Sequence, residues 1–415
     1  MSNELQSIPV SELELGMYVA KLDRPWTDTP FLFQGFFLHH DDELDLIRRY
    51  CKHVFIDVTR GAAPEAEESR TITRVTDLRG PTAAPKPPPA GRQRITYERT
   101  AAVEREMPTA RAIYDDTAAA AKNVVRHLQE TGHLNIDMAQ QVVAQVMDSV
   151  LRNPDAMTWL ARMKTHDEYV YQHSVNSCIW GLAFGRHLGL DRQAIYEIGL
   201  GSMLQDVGKT RLPAQLLAKV GKLSEAELRV IRSHVEHSVA IMRNTPGVTA
   251  RMLDMAQSHH ERFDGSGYPA GLKGNEIPTF AKIGAMVDCY DALISPRPYA
   301  VQLTPHLALR EIYTWRGKLF QPEVVEQFMQ VVGVFPTGSI VELNTGAVAV
   351  VISQNETRRL RPRLMLILDP KKRRLPRFET VDLFQDQEWS NTEKYWIEKH
   401  VDAAAYGIDP QSLYL

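Results

Sequence analysis

Residues 259–269 have the sequence HHERFDGSGYP, in which two adjacent histidines lead directly into a turn of the form Gly-x-Gly-Tyr-Pro. Helical spacing over residues 249–261 predicts that both imidazoles lie where a helix ends and this turn begins. An ordinary glycine-rich loop is the simpler alternative. What this stretch does therefore depends on which other residues the fold brings beside it.

Around this stretch, the chain is helical almost throughout from about residue 100 to 332. Apolar residues such as Val142 and Val146 recur at the spacing of one buried helical face. Ser224, followed three residues later by glutamate, predicts a capping box ahead of a helix that continues through His234. These patterns predict an all-α bundle.

The flanking regions have a different composition. The first residues predict a small α+β unit, and after Pro336 short apolar runs separated by turn residues predict strands. Five prolines between Pro81 and Pro89 predict a stiff, solvated linker. The predicted fold is thus multidomain, a central all-α bundle with a small N-terminal α+β domain and a C-terminal β-rich extension. The predicted boundaries are 1–60 for the N-terminal domain, 61–99 for the linker, 100–335 for the bundle and 336–415 for the extension.

Composition narrows the classes of function. A formal net charge of −3 on 415 residues gives no reason to expect a nucleic-acid polymer as the main partner. No apolar run has the roughly 18 residues that a membrane helix needs, and the N-terminus lacks the pattern of a secretory signal. Three widely spaced cysteines argue against a disulfide framework. Together these features predict a cytoplasmic protein without membrane association.

The predicted bundle carries histidines, aspartates and one glutamine on separate helices, so that each helix can offer ligands to a common centre. Imidazoles mixed with carboxylates suit iron, manganese or another transition metal better than calcium or magnesium. A lone histidine on a helix is far more often a structural residue, and only the combined set points to a metal site. The set comprises His173, Gln205, Asp206, His234, His259, His260 and Asp288.

The segment HHERFDGSGYP is similar to the signature of HD-GYP phosphodiesterases, a branch of the HD superfamily of metal-dependent phosphohydrolases. Residues 204–209, Leu-Gln-Asp-Val-Gly-Lys, stand where that family has Leu-His-Asp-Ile-Gly-Lys, and the segments around His173 and Asp288 follow in the same order. The resemblance covers about residues 160–335. Residues 7–60 also resemble a small accessory domain often found ahead of such domains. The resemblance implies hydrolysis of cyclic di-GMP to linear pGpG, and further to GMP, in bacterial second-messenger signalling.

The resemblance also implies two divalent metal ions, iron or manganese, that share one carboxylate. Some family members bind a third ion through a glutamate four residues before the first histidine, but Tyr169 stands at that position, so at most two ions are expected. Two ions about 3.5–4 Å apart activate a water and stabilise charge on the phosphoryl oxygens. By position, the first ion is assigned to His173, Asp206 and Asp288, and the second to Asp206, His234, His259 and His260.

Three further residues receive roles from the resemblance. Lys209, one turn after Asp206, is placed to contact a phosphate oxygen or to assist proton transfer, so Asp206 and Lys209 are the expected catalytic residues. Arg297 can clamp a phosphate through two parallel hydrogen bonds, and Tyr268 can pack against the ligand. A surface salt bridge for Lys209 and a loop-anchoring bond for Arg297 are the structural alternatives.

Gln205 departs from the family pattern, because the histidine that gives the family its name is a glutamine here. An amide oxygen is a weaker ligand than an imidazole. One outcome is a working binuclear centre with weaker affinity for one ion. The other is a protein that binds a cyclic dinucleotide as a sensor, with little turnover, and recruits a signalling partner. A different HD-superfamily nucleotide hydrolase is a third reading, disfavoured by the GYP turn. The oligomeric state, including a homodimer, is left open.

Overall fold

The protein is described by a computed structural model. The described residues are 5–24, 36–38, 41–58, 95–162, 169–295, 302–355, 358–385 and 395–408. They divide into two compact units, the first formed by residues 1–93 with 355–361 and the second by residues 94–354 with 362–415. Over the described ranges, no helix combines the length and the apolar character that crossing a bilayer requires.

The first unit is a small α+β structure with one helix beside an antiparallel sheet. The sheet order is β1-β4-β2-β3, so β4, the last strand of this unit in chain order, lies between β1 and β2. Alternate residues of the strands, such as Ile8, Val19, Val54 and Ile56, are fully buried beneath the helix residue Ile47. The elements are β1 (Leu5–Pro9), β2 (Tyr18–Leu22), β3 (Phe36–Phe37), α1 (Asp41–Tyr50) and β4 (His53–Asp57).

The second unit contains the predicted helical bundle. Several of its helices begin at a side-chain cap that accepts a backbone N–H, including Asp191, Thr249 and Thr304. The helices are α2 (Val103–Thr131), α3 (Asp137–Arg152), α4 (Pro154–Leu160), α5 (Tyr169–His187), α6 (Arg192–Leu204), α7 (Ala214–Leu217), α8 (Glu225–Arg232), α9 (His234–Arg243), α10 (Ala250–Ser258), α11 (Thr279–Ile294), α12 (Pro305–Thr314) and α13 (Pro322–Val332).

An aromatic cluster holds α5, α11 and α13 together. The rings of Trp180 and Tyr290 meet edge to face with centroids 5.0 Å apart. Phe328 lies 5.2 Å from both Tyr290 and Phe184. Such pairs contribute about 0.5–1.5 kcal/mol each beyond the area they bury. Because α5 carries His173 and α11 carries Asp288, this cluster sets the spacing between two of the predicted metal ligands.

The capping box is confirmed, but the prediction that its helix continues through His234 is wrong. Ser224 accepts from the backbone N–H of Glu227, whose carboxylate accepts from the backbone N–H of Ser224. The helix α8 then ends at Arg232, and His234 begins α9. Ser233 stands at the break, where its hydroxyl donates to the carbonyl of Val230 at 2.7 Å and so competes with the helical hydrogen bonds.

The C-terminal extension is a five-stranded antiparallel sheet with the order β8-β7-β6-β5-β9, in the same unit as the bundle. Its central strand β6 is buried along its whole length. The strands are β5 (Ile340–Leu343), β6 (Val348–Ser353), β7 (Arg363–Leu368), β8 (Arg374–Asp382) and β9 (Ile397–His400). The predicted fold class, a helical bundle between a small α+β domain and a β-rich extension, is confirmed.

Candidate metal centre

Five parts of the helical bundle bring histidines and aspartates to one place. They are α5, the segment after α6, the start of α9, the residues just past α10, and α11. Within each of two groups, one ligand atom of every residue lies within 4.8 Å of the others. The groups are His173 with Asp206 and Asp288, and Asp206 with His234, His259 and His260.

In the first group, His173 lies between two carboxylates of α11. Its Nε2 is 3.0 Å from Oδ1 of Asp288 and 3.7 Å from Oδ2 of Asp206. Its Nδ1 is 2.7 Å from Oδ2 of Asp291, which is fully buried. The Asp291 carboxylate thus fixes the ring so that Nε2 faces the other two carboxylates. A carboxylate behind a histidine is the usual support of a metal-ligating imidazole.

In the second group, backbone carbonyls set the orientation of two imidazoles. Nδ1 of His234 lies 2.7 Å from the carbonyl oxygen of Ile231, and Nδ1 of His259 lies 3.0 Å from that of Ala256. A carbonyl only accepts hydrogen bonds, so each Nδ1 carries the proton and each neutral ring keeps a lone pair on Nε2. These two Nε2 atoms are 3.5 Å apart, and they lie 3.2 Å and 3.6 Å from Oδ1 of Asp206.

Such an arrangement of acceptor atoms suits a cation. Two lone pairs and a carboxylate oxygen converge, and Oδ1 of Asp206 is a buried atom without a hydrogen-bond partner in the described part of the chain. The two oxygens of Asp206 point to different groups, because Oδ2 is the one nearer His173. Asp206 therefore offers one oxygen to each group, and the mixture of imidazoles and carboxylates fits transition-metal binding.

Most of the ionisation states suit metal binding. His173 differs, because burial disfavours its charge but its hydrogen bonds to Asp288 and Asp291 raise its pKa, so an ion bound there must displace a proton. Burial opposes the charge on Asp206, yet the Lys209 ammonium holds the pKa of Asp206 well below its usual range. Burial likewise opposes the charge on Asp288, but His173 keeps the pKa of Asp288 low. Burial and the neighbouring His259 hold the pKa of His260 well below its usual value, so this imidazole stays neutral and can bind an ion at pH 7.

Lys209 and Gly208 follow Asp206 in a short 3₁₀ turn. The ammonium of Lys209 lies 2.7 Å from Oδ2 of Asp206, and its side chain is 28% exposed, so it borders both the ligands and solvent. A Cβ at Gly208 would lie 2.0 Å from the carbonyl oxygen of His234. Only glycine allows this turn to approach α9 closely enough to place Asp206 beside His234.

The turn after the paired histidines presents Tyr268 beside the ligands. The Tyr268 ring stacks on that of His260, with centroids 4.7 Å apart and an angle of 21°. Buried Glu261 holds the turn, because its carboxylate accepts from the backbone N–H groups of Ala270 at 2.7 Å and Leu272 at 2.9 Å. Burial and the nearby aspartates raise the pKa of Tyr268, so its hydroxyl remains a hydrogen-bond donor.

Gln205 is 1% exposed, and neither its amide oxygen nor its amide nitrogen has a hydrogen-bond partner among the described residues. A Cβ at Gly284 would lie 2.9 Å from the Gln205 amide oxygen. Gly284 is one turn before Asp288 on α11, so the amide faces the part of that helix that carries a ligand. A buried polar group without a partner costs about 1–3 kcal/mol, which a bound cation can offset.

Arg297 and Tyr169 were singled out in the sequence, whereas Asp291 and Glu261 were not. Arg297 lies outside the described residues. Tyr169 begins α5, four residues before His173. Asp291 was missed, although its position three residues after Asp288 on the same helix was a usable signal. Glu261 was missed as the anchor of the turn, because nothing in the sequence shows that two backbone N–H groups lie beside it.

Comparison with known families gives three matches along the chain. Residues 159–324 match the model of an HD domain, and residues 340–400 match a KOW domain associated with HD domain. Residues 5–139 match a domain of unknown function, DUF3391.

Several curated proteins are similar to this chain. A cyclic di-GMP phosphodiesterase of Pseudomonas aeruginosa is 34% identical over 382 residues, which cover 91% of this chain and 89% of that protein. A cyclic di-GMP phosphodiesterase response regulator of Xanthomonas campestris is 38% identical over 160 residues, or 37% of this chain and 42% of that protein. A 3′3′-cGAMP-specific phosphodiesterase of Vibrio cholerae is 36% identical over 143 residues, or 34% of this chain and 27% of that protein.

Proposed function

The chain belongs to the HD-GYP family of HD-domain phosphodiesterases, and from that membership we propose that it hydrolyses cyclic di-GMP. The proposed products are linear pGpG and, after a second cleavage, GMP. The observation that supports this proposal most strongly is the convergence of imidazole lone pairs and carboxylate oxygens on the shared Asp206. A relative that is similar over nearly the whole chain is named for the same activity.

We propose that two divalent ions, iron or manganese, occupy the two groups of ligands. The first is held by His173, Asp206 and Asp288, with the Gln205 amide oxygen as a weak additional ligand. The second is held by Asp206, His234, His259 and His260. When bound, the ions supply positive charge for the phosphoryl oxygens and acidify the attacking water.

The remaining residues position the substrate. Lys209, which borders both solvent and the shared carboxylate, donates to a non-bridging oxygen of the scissile phosphate or moves a proton during the reaction. Tyr268, held by the turn against His260, packs against the nucleotide or donates its hydroxyl to it. Arg297 remains a proposed phosphate clamp on the basis of the sequence alone.

A second candidate function is a sensor that binds cyclic di-GMP with little turnover. Gln205 favours it, since an amide holds the first ion less firmly than an imidazole does. The two candidate functions can be told apart, because a hydrolase converts cyclic di-GMP to a linear product, whereas a sensor binds it and releases little product. In either case a cytoplasmic location is proposed, which suits three cysteines that are all free thiols.

Metal counting and product analysis on the same protein test the proposal. The purified chain is loaded with iron(II) or manganese(II) without oxygen, its metal content is measured by mass spectrometry, and cyclic di-GMP is followed by chromatography. We expect close to two ions per chain and a linear product. Asp206→Asn should abolish turnover because both ions lose a ligand. If the protein binds the nucleotide but forms no product under either metal, the sensor is the remaining candidate function.

Lys209→Met tests the role of Lys209 in the same assay. The exposed lysine Lys222 lies in a neighbouring loop and provides a matched control for loss of charge. We expect Lys209→Met to lower kcat by roughly a hundredfold, as is typical for removal of a positioned proton donor. Lys222→Met should leave kcat unchanged. Equal rates for the two variants would contradict a role for Lys209 in the reaction.

A further inference from the structure

Arg232 stands at the entrance to the metal centre. It is the last residue of α8, two residues before His234. Its guanidinium carbon lies 5.0 Å from the centroid of the Tyr268 ring, and that ring stacks on His260. Arg232, Tyr268 and His260 thus form a contiguous series of side chains from an exposed cation to a predicted metal ligand.

The exposed side of the centre is the side of His260. All the other histidines and aspartates of the two groups are buried, whereas His260 is only partly buried. A substrate that approaches the ions from this side passes beside His260 and Tyr268. Arg232 lies along that approach.

Arg232 is also available to bind an anion. Within the described residues, its guanidinium contacts the Tyr268 ring but makes no ion pair and no side-chain hydrogen bond. A guanidinium lying over an aromatic ring keeps the N–H groups along its edge free for a phosphate. The contact with the Tyr268 ring therefore holds the Arg232 guanidinium in place and leaves its N–H donors available to a ligand.

A cyclic dinucleotide has two phosphodiester groups, and only one of them is cleaved at a time. We propose that Arg232 binds the second, uncleaved phosphodiester while the first lies at the metal centre. This assignment rests on the proposed function. It makes Arg232 a substrate-binding residue that favours cyclic dinucleotides over substrates with a single phosphodiester, because only the former reach from the ions to the guanidinium.

Replacement of Arg232 by alanine, measured on two substrates, tests the assignment. Cyclic di-GMP has the second phosphate, and bis(p-nitrophenyl) phosphate does not. Loss of a charge-assisted contact should raise the KM for cyclic di-GMP by about tenfold or more. The KM for bis(p-nitrophenyl) phosphate should rise by no more than about twofold, from the loss of general electrostatic attraction. Arg232→Lys should be intermediate, since it keeps the charge and loses the planar fork.

Arg229 provides the matched control. It is exposed and basic and lies in the same last turn of α8. Arg229→Ala therefore removes the same charge and the same interaction with the helix dipole, without touching Tyr268. We expect its KM for cyclic di-GMP to stay within about twofold of wild type. Equal effects of the two alanine variants, or equal effects of Arg232→Ala on both substrates, would overturn the assignment.

Two further outcomes are distinguishable. If Arg232→Ala raises the KM for cyclic di-GMP but not the KM for cyclic di-AMP, the residue recognises the guanine base, and the assignment to phosphate is wrong. If the wild-type protein has no turnover, the proposed hydrolysis fails, and calorimetric binding of cyclic di-GMP to the same proteins decides the role of Arg232. A Kd about tenfold higher for Arg232→Ala, with that of Arg229→Ala unchanged, would then support the assignment. Equal Kd values for Arg232→Ala and the wild type would refute it.

Discussion

Asp291 provides a demanding test of the first metal position, because its carboxylate contacts the ligand His173. The Asp291 carboxylate is fully buried and accepts from Nδ1 of His173 at 2.7 Å. A buried hydrogen bond of this kind, with a charged acceptor, contributes about 1.5–3 kcal/mol. Asp291→Asn should therefore weaken binding of the first ion by about tenfold to a hundredfold, as is usual for groups that orient a metal-bound histidine.

The assay is competition for manganese(II) against a chelator of known affinity, which resolves the two ions by their different Kd values. Asp148→Asn is the control, since Asp148 is a half-exposed helical aspartate paired with Arg192 on the bundle surface. We expect the Kd of the weaker ion to rise in Asp291→Asn while that of the tighter ion changes little. Circular dichroism checks that both variants remain folded. A first-ion Kd within twofold of wild type would refute the idea that Asp291 orients a metal ligand.

Three other changes have clear expected outcomes. At free metal concentrations too low to fill both positions, Gln205→His should raise the metal content per chain, because an imidazole is the better ligand and the amide loses no hydrogen bond on replacement; unchanged content by mass spectrometry under that condition would mean that this side chain faces away from the ions. Gly208→Ala should lower the urea midpoint far more than Gly221→Ala, because a Cβ at Gly208 meets a backbone oxygen at 2.0 Å, whereas one at Gly221 meets nothing within 4 Å. At Gly221 only the positive φ of 97° is strained for alanine, at about 1 kcal/mol; similar midpoints would contradict the close approach to α9. Burial, with the charge of Asp23, raises the pKa of Cys51 to about 12, so its thiol should resist iodoacetamide at pH 8 until the protein is denatured; rapid labelling of the native protein, detected by mass spectrometry, would show that this site opens.

The ligand residues were recognisable in the sequence because each lies in a motif with a fixed order. The paired histidines and the Gly-x-Gly-Tyr-Pro turn drew attention first, and the structure places both imidazoles in the turn just after α10, which ends at Ser258. The predicted helix over residues 249–261 thus ended three residues too late. The difference matters, since the carbonyl of Ala256 in the last helical turn is free to orient His259.

The orientation of His234 could not be predicted, because it depends on a break between two helices. The sequence predicts one helix from Ser224 through His234, and the break at Ser233 depends on a competing side-chain hydrogen bond. The break exposes the carbonyl of Ile231, which accepts from Nδ1 of His234. Local propensity alone does not reveal such a contact.

The last two strands of the extension were also missed, for a different reason. Strand β8 (Arg374–Asp382) is mostly exposed and contains Pro376, so it lacks the apolar pattern of a central strand. Among the described strands it pairs only with β7, and an edge strand tolerates a proline because one side of it makes no ladder hydrogen bonds. Strand β9 (Ile397–His400) is too short and too polar for its pattern to be seen.

Anomalous X-ray diffraction from crystals of the manganese-loaded or iron-loaded protein tests the central claim most directly. We expect two strong peaks, one beside each oxygen of Asp206, with His173 and Asp288 around one and His234, His259 and His260 around the other. The absence of any peak within bonding distance of Asp206 in fully loaded protein would contradict the central claim.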